Sequence, residues 1–152
     1  MLWEKLADSY ATILRQNYFI KFEIEAHKLI SKGTTEEELS NLYLRNLGEQ
    51  FGTSVKVEGA FKNEWMYISH IFESPFYCYA YNFGELLSLA LFAKYKELGK
   101  PFREKIKTIL AAGGSEDPAK VLSAVGVNME SEEFWRGGFK IIESWQKELE
   151  TK

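Results

Sequence analysis

Four side chains in the middle of the sequence have the chemistry to stabilise negative charge on an oxygen atom: His70, Tyr77, Tyr79 and Tyr81. The imidazole of His70 can donate a hydrogen bond or transfer a proton. The three phenol hydroxyls can act as further donors around the same oxygen. A structural interpretation stays open, because aromatic residues at a helix start are common in cores and a histidine beside a turn can bond a loop carbonyl.

The helix that carries the tyrosines decides which of them can act together. Side chains three and four residues apart share a helix face. One predicted face carries Phe76, Tyr79 and Phe83, and another carries Tyr77, Tyr81, Gly84 and Ser88. His70 lies at the predicted end of a shorter helix just before this one, where its ring can point into a cleft.

A second histidine, His27, shares a predicted helix with Glu23 but does not form a zinc motif. A zinc helix of the His-Glu-x-x-His type needs a second imidazole four residues away, and positions 23 and 31 hold Glu and Ser. We therefore expect His27 to be a structural residue on a helix face and Glu23 to be a solvated or capping carboxylate. With two His and one Cys in the chain, no metal site is predicted, and no cofactor is expected in this chain.

The glycines at 113 and 114 do not predict a phosphate-binding loop. A Walker loop needs a preceding strand and a Lys followed by Ser or Thr, and Ser115 is followed by Glu116 and Asp117. A helix end at the glycines and a helix start at Asp117 and Pro118 account for the same residues.

Composition narrows the function classes. The net charge of −3 argues against a nucleic-acid partner, and no apolar run reaches the ~18 residues of a membrane span. The N-terminus lacks the layout of a signal peptide, so we expect a soluble, cytoplasmic protein. A lone Cys78 forms no internal disulfide, and 152 residues fit a single domain over 1–152.

Apolar periodicity predicts an all-α bundle of about seven helices joined by short loops. The predicted helices cover residues 3–30, 36–51, 63–70, 75–98, 102–112, 118–125 and 132–150. Thr35 and Glu38 form a capping box at the second helix, and Ser74 with Pro75 is predicted to start the fourth. The fourth helix is apolar enough to be buried almost all round, and residues 55–57 are predicted as loop or at most a short strand.

Taken together, several motifs resemble the C-terminal part of the oligoendopeptidase F family, which is related to thimet oligopeptidase. The matching residues are Arg15 to Phe19, Phe22, Glu23, Ala26, His27, Trp65, Ile68, His70, Pro75 to Gly84, Ala111 to Ser115, Pro118, Gly126, Val127, Phe134, Trp135 and Gly138. They span essentially the whole chain in the family's order.

The resemblance implies a zinc metalloendopeptidase that cuts short peptides, with a His-Glu-x-x-His helix and a third Glu ligand. Those elements lie upstream in the family and are absent here, so zinc belongs to the full-length family and this chain has no metal ligand. By motif, His70 is similar to the family's substrate-contacting His and Tyr79 to the Tyr of its aromatic-Tyr-x-Tyr run. Hence His70 and Tyr79 are expected to stabilise the transition state when complemented, and His70, Tyr77, Tyr79 and Tyr81 to bind substrate. The 71–74 loop lacks the phenol that thimet-like members carry there, and Phe76 stands where they have Tyr.

Two hypotheses follow. In the first, the chain is the C-terminal portion of an oligopeptidase, inactive alone and active on peptides when a partner supplies the zinc helices. In the second, it is a catalytically inactive, free-standing helical protein for binding or self-association. Surfaces that lack their family neighbours favour a homo-oligomer, expected to be a dimer, through the long N-terminal helix and part of the aromatic face.

Overall fold

Residues 1–151, which this computed structural model describes, form helices joined by turns and loops. The eight α-helices are α1 Leu2–Ser9, α2 Gln16–Ile30, α3 Glu36–Phe51, α4 Ser69–Glu73, α5 Cys78–Leu98, α6 Lys100–Ala112, α7 Pro118–Ala124 and α8 Glu132–Glu150. A π-helical segment, Tyr10–Arg15, joins α1 to α2, and a 3-10 helix, Gly59–Tyr67, lies between α3 and α4. The predicted all-α fold is confirmed, with eight α-helices where the sequence predicts about seven. Residues 55–57 are loop, and the described residues contain no strand.

The predicted helix starts are confirmed after Thr35, Asp117 and Ser131, because the side chain of each of these residues caps the helix that follows it. The Thr35 hydroxyl accepts a hydrogen bond from the Glu38 amide, and the Glu38 carboxylate accepts one from the Thr35 amide. Asp117 caps α7 ahead of Pro118, and Ser131 caps α8. These local signals do not depend on distant parts of the chain, so the sequence alone defines them.

The long N-terminal helix is continuous but not uniformly α-helical. Its π-helical stretch, Tyr10–Arg15, differs from the predicted uninterrupted α-helix. The Asn82 side-chain amide donates to the Ile13 carbonyl at 3.1 Å, and Gln50 donates to the Tyr10 hydroxyl at 3.0 Å. Partners outside the helix thus bond this stretch, which periodicity cannot reveal.

The largest corrections fall between residues 59 and 78. The helix predicted over 63–70 is a 3-10 helix followed by α4, so His70 is the second residue of α4 instead of the end of a helix. Ser74 and Pro75 do not start the next helix. Phe76 has φ of +61°, which no α-helix accommodates, and α5 begins at Cys78.

The chain divides into two compact units, and α5 contributes to both. The unit of residues 7–83 has a core around Phe22, Tyr43 and Trp65, to which α2, α3 and the 3-10 helix contribute. The unit of residues 1–6 and 84–152 has a core around Ala90, Phe102, Leu122 and Phe134.

Helix α5 is less buried than its composition predicts. Leu89, Ala90 and Leu91 are buried, but Phe92 and Leu98 are exposed. A β-carbon added to Gly138 of α8 would lie 3.1 Å from the Ala90 amide, so α8 packs closely against the buried part of α5 around Ala90. Within residues 1–151, no helix is both long and apolar enough to cross a membrane.

Candidate active site

His70 lies on α4, a short helix that is followed by a turn. The five-residue α4 is closed by the Ser74 amide, which donates to the His70 carbonyl at 3.0 Å. The Tyr77 amide then donates to the Ser74 carbonyl at 3.0 Å. After this turn, Tyr77 and Tyr81 contact the His70 ring.

The His70 ring contacts two of the three candidate tyrosines. Its Nε2 lies 3.1 Å from the Tyr81 hydroxyl. The Tyr77 ring is nearly parallel to it, at 5° with the ring centres 5.8 Å apart, and Tyr77 and Tyr81 meet edge to face at 5.4 Å. We call His70, Tyr77 and Tyr81 the His70 cluster. Its contacts fix the plane of the imidazole while leaving the cluster open to solvent.

Tyr79 lies apart from the His70 cluster. It is two residues from both Tyr77 and Tyr81, which corresponds to roughly 200° around an α-helix. Its side chain is 61% exposed, the most open of the three tyrosines. The structure therefore groups His70 with Tyr77 and Tyr81, and Tyr79 offers its hydroxyl to solvent from another side of the helix.

The turn before α5 is hydrogen-bonded to Glu23 of α2. Phe76 is the only residue other than glycine with a positive φ among residues 1–151, and its amide donates to Glu23 Oε1 at 2.7 Å. A bulky residue in this conformation costs on the order of 1–3 kcal/mol and persists only where its surroundings impose it. The hydrogen bond to Glu23 is such a constraint.

Glu23 is buried, with 1% of its surface exposed, so the expectation of a solvated carboxylate is wrong. It occupies the same helix stripe as Phe19, Phe22 and Ala26, which pack into the core. Its second oxygen, Oε2, has no hydrogen-bond partner. The sequence does carry a signal for this position, because Glu23 falls at the three- and four-residue spacing of the apolar stripe.

Two further side chains surround Glu23. The His27 Nε2 lies 3.9 Å from Glu23 Oε1, and the half-exposed His27 ring packs on Phe76 at 5.0 Å between centres. Cys78 is buried, and burial first and the Glu23 charge second raise the pKa of its thiol. This thiol is therefore held in its protonated, poorly nucleophilic form at neutral pH.

Comparison with known proteins places the whole arrangement in a family. A model of peptidase family M3 matches residues 1–141. The chain belongs to peptidase family M3. An oligoendopeptidase F homolog of Borreliella burgdorferi is 34% identical over 127 residues, covering 82% of this chain and 21% of that protein. The chromosomal oligoendopeptidase F of Lactococcus lactis subsp. cremoris is 32% identical over 146 residues, covering 94% of this chain and 24% of that protein.

The fold is shared as well. The crystal structure of oligoendopeptidase-F from Enterococcus faecium superposes with a TM-score of 0.87 at 28% identity, covering 99% of this chain and 29% of that one. The predicted resemblance to the C-terminal part of oligoendopeptidase F is confirmed. The chain spans less than a quarter of the length of the curated relatives it matches.

M3 peptidases are in general zinc-dependent, and the described residues do not fit a zinc site. No three His, Cys, Asp or Glu side chains within residues 1–151 are grouped so as to hold a metal ion. At His27 the nearest carboxylate oxygen already accepts the Phe76 amide, and His70 is bonded to a phenol.

Proposed function

We propose that this chain supplies the substrate-binding and oxyanion-stabilising face of an oligoendopeptidase F-type peptidase that acts on short peptides. The observation that carries the proposal is the His70 cluster, a histidine fixed by two tyrosines and still open to solvent in a chain of the M3 family. Side chains that served only a core would be buried with their polar atoms bonded inside.

His70 and Tyr79 are the proposed donors to the developing oxyanion. When the Tyr81 hydroxyl donates to His70 Nε2, the neutral imidazole carries its proton on Nδ1 and donates from there. Stacking on Tyr77 limits the ring to one plane, which reduces the reorganisation needed when charge develops. Tyr79, whose side chain is exposed, would reach the substrate from a different side of α5 than the His70 cluster.

Tyr77 and Tyr81 are proposed to bind substrate through their ring edges and to keep His70 oriented. The nucleophile and the zinc are assigned to the part of the family architecture that the match does not cover, whichever chain carries it. This division explains how a chain can hold donors and no metal ligands.

Complementation tests the proposal. This chain is mixed with the zinc-bearing remainder of the Lactococcus relative, and cleavage of a fluorescence-quenched peptide is followed. We expect cleavage in the mixture, none from either part alone, and a strong loss with the double variant His70→Ala, Tyr79→Phe. A mixture that forms a complex yet cleaves equally well with the double variant refutes the assignment.

Elemental analysis of the isolated chain accompanies this assay. We expect no stoichiometric zinc, because zinc binding needs three or four clustered ligands. About one tightly bound zinc per chain, lost on replacing His27 or His70, contradicts the assignment of the zinc to the remainder of the enzyme.

Self-association is a second candidate function, favoured by one observation. Tyr10 and Leu14 are exposed on the N-terminal helical run within the unit of residues 7–83. Contiguous exposed apolar surface is uncommon on soluble monomers, and a two-fold dimer covers the same patch on both copies. Sedimentation at micromolar concentration is expected to show a dimer that Leu14→Glu dissociates, and a monomeric wild-type chain excludes this function.

A further inference from the structure

We propose that Glu23 is a positioning residue, which holds the turn at Phe76 and thereby sets Tyr77 and Tyr81 against His70. The inference depends on the proposed function only for the consequence in catalysis. Its structural part, the coupling between Glu23 and the His70 cluster, can be tested in this chain alone.

The first support is the hydrogen bond itself. Around the turn, the Ser74 and Tyr77 amides donate to backbone carbonyls, while the Phe76 amide donates to the Glu23 side chain at 2.7 Å. Bonds from an amide to a carboxylate are about twice as strong as neutral ones, so this contact can hold Phe76 at its unfavourable φ. Without it, the Phe76 amide loses its acceptor and the positive φ loses its constraint.

The second support is that a carboxylate is unfavourable at position 23 if the side chain serves only to pack the core. Glu23 lies in an apolar helix stripe, is buried, and leaves Oε2 without a partner. An apolar side chain of similar volume would fill this space without the desolvation that a buried carboxylate requires. An apolar residue would lose the bond to Phe76 at 2.7 Å and the weaker approach of His27 Nε2 at 3.9 Å, and the bond to Phe76 is the shorter of the two.

The third support is where the turn leads. Phe76 directly precedes Tyr77, which stacks on His70, and Tyr81 follows one helical turn later with its hydroxyl on His70 Nε2. At the far end of this segment Asn82 donates to the Ile13 carbonyl. The aromatic segment is thus fastened to the long N-terminal helix at both ends, by Glu23 before it and by Asn82 after it.

The test compares two variants of Glu23 by NMR of the His70 ring protons, which stacking on Tyr77 shifts upfield. Glu23→Met keeps the volume and removes the acceptor, and we expect it to abolish most of the upfield shift. Glu23→Gln keeps an acceptor oxygen, and we expect it to retain the shift. Leu42→Ala, a truncation in the same core, is the control for general loosening and should leave the His70 shift in place.

Several results overturn the inference. They are an unchanged His70 shift in Glu23→Met, an equal loss in Glu23→Met and Glu23→Gln, and an equal loss in Leu42→Ala. Should Glu23→Met fail to fold, hydrogen exchange of the Phe76 amide in the wild-type chain decides. Protection well above that of an exposed turn amide supports the bond to Glu23, and exchange at the free rate refutes it.

In the complemented enzyme, Glu23→Met is expected to lower turnover by up to about 100-fold with little change in KM, and Glu23→Gln to rescue most of it. Loss of the His70 shift with unchanged turnover would uphold the positioning and refute the catalytic role of the cluster. An unchanged shift refutes the positioning whatever the complementation assay shows.

Discussion

Two aromatic clusters in the unit of residues 7–83 have similar ring contacts, but one is a buried core and the other is the candidate site. In the core, Phe22 meets Tyr43 edge to face at 5.1 Å and Trp65 at 5.8 Å. The His70 cluster has ring spacings of 5.4 to 5.8 Å. Ring distances alone therefore do not distinguish a core from a candidate site.

The hydrogen-bonding atoms of the rings distinguish the core from the His70 cluster. In the core, the Tyr43 hydroxyl donates to Glu64 at 2.9 Å and the Trp65 indole donates to Ser40 at 3.1 Å, and both rings are buried. Arg15 pairs with the other Glu64 oxygen at 2.7 Å and completes this network. In the His70 cluster the Tyr81 hydroxyl and His70 Nε2 bond each other at the surface, where a ligand can compete for them.

Truncation should separate the two clusters most strongly. Phe22→Ala is expected to lower the free energy of unfolding by about 3–5 kcal/mol, because it leaves a cavity in the core. His70→Ala is expected to change it by less than about 0.5 kcal/mol, as at other surface positions. Urea unfolding followed by tryptophan fluorescence measures both free energies. Comparable losses in the two variants would contradict the distinction between a core and a surface cluster.

Removing single hydroxyls should sharpen the comparison within the complemented enzyme. Tyr79→Phe is expected to lower turnover by about 10²- to 10³-fold with little change in KM, as for the loss of one oxyanion donor. Tyr77→Phe should do less, because Tyr77 acts on His70 mainly through its ring face. Equal effects on kcat at the two positions would contradict the assignment of the oxyanion donor to Tyr79.

Alkaline pH should affect the core through Tyr43. Burial, followed by the hydrogen bond to Glu64, raises the pKa of Tyr43. The folded state keeps its proton while the unfolded state loses it above about pH 10, so this contribution is intact below that pH and falls above it. Relative to Tyr43→Phe, the wild-type chain should lose about 1.4 kcal/mol of unfolding free energy per pH unit above 10. A constant difference from pH 8 to 11 would contradict the burial of a protonated phenol.

The sequence predicts the elements whose causes are local. The capping box of Thr35 and Glu38, the Asp117 and Pro118 start of α7 and the Ser131 cap each depend on side chains within three residues of the backbone groups that they bond. The family motifs likewise predict the oligoendopeptidase F resemblance. These parts of the fold follow from short stretches of sequence.

The remaining features depend on contacts between distant residues. Helix α5 begins at Cys78, and the Phe76 amide just before it donates to Glu23, which lies 53 positions earlier in the chain. The π-helical stretch is bonded by Asn82, 69 positions after Ile13. Helix periodicity predicts that Tyr77 and Tyr81 share a face, and their ring contact confirms it. It could not predict that His70 meets them, because that contact depends on the turn between α4 and α5.

A chimera provides the most direct test of the central claim, that this chain carries a working donor face of an M3 peptidase. The matching segment of the Lactococcus oligoendopeptidase F is replaced by residues 1–141, and cleavage of a quenched peptide is measured together with zinc content. We predict a zinc-containing chimera that cleaves the peptide and loses that activity with His70→Ala. A folded chimera that binds zinc but cleaves no peptide, or one that is indifferent to His70→Ala, would contradict the claim.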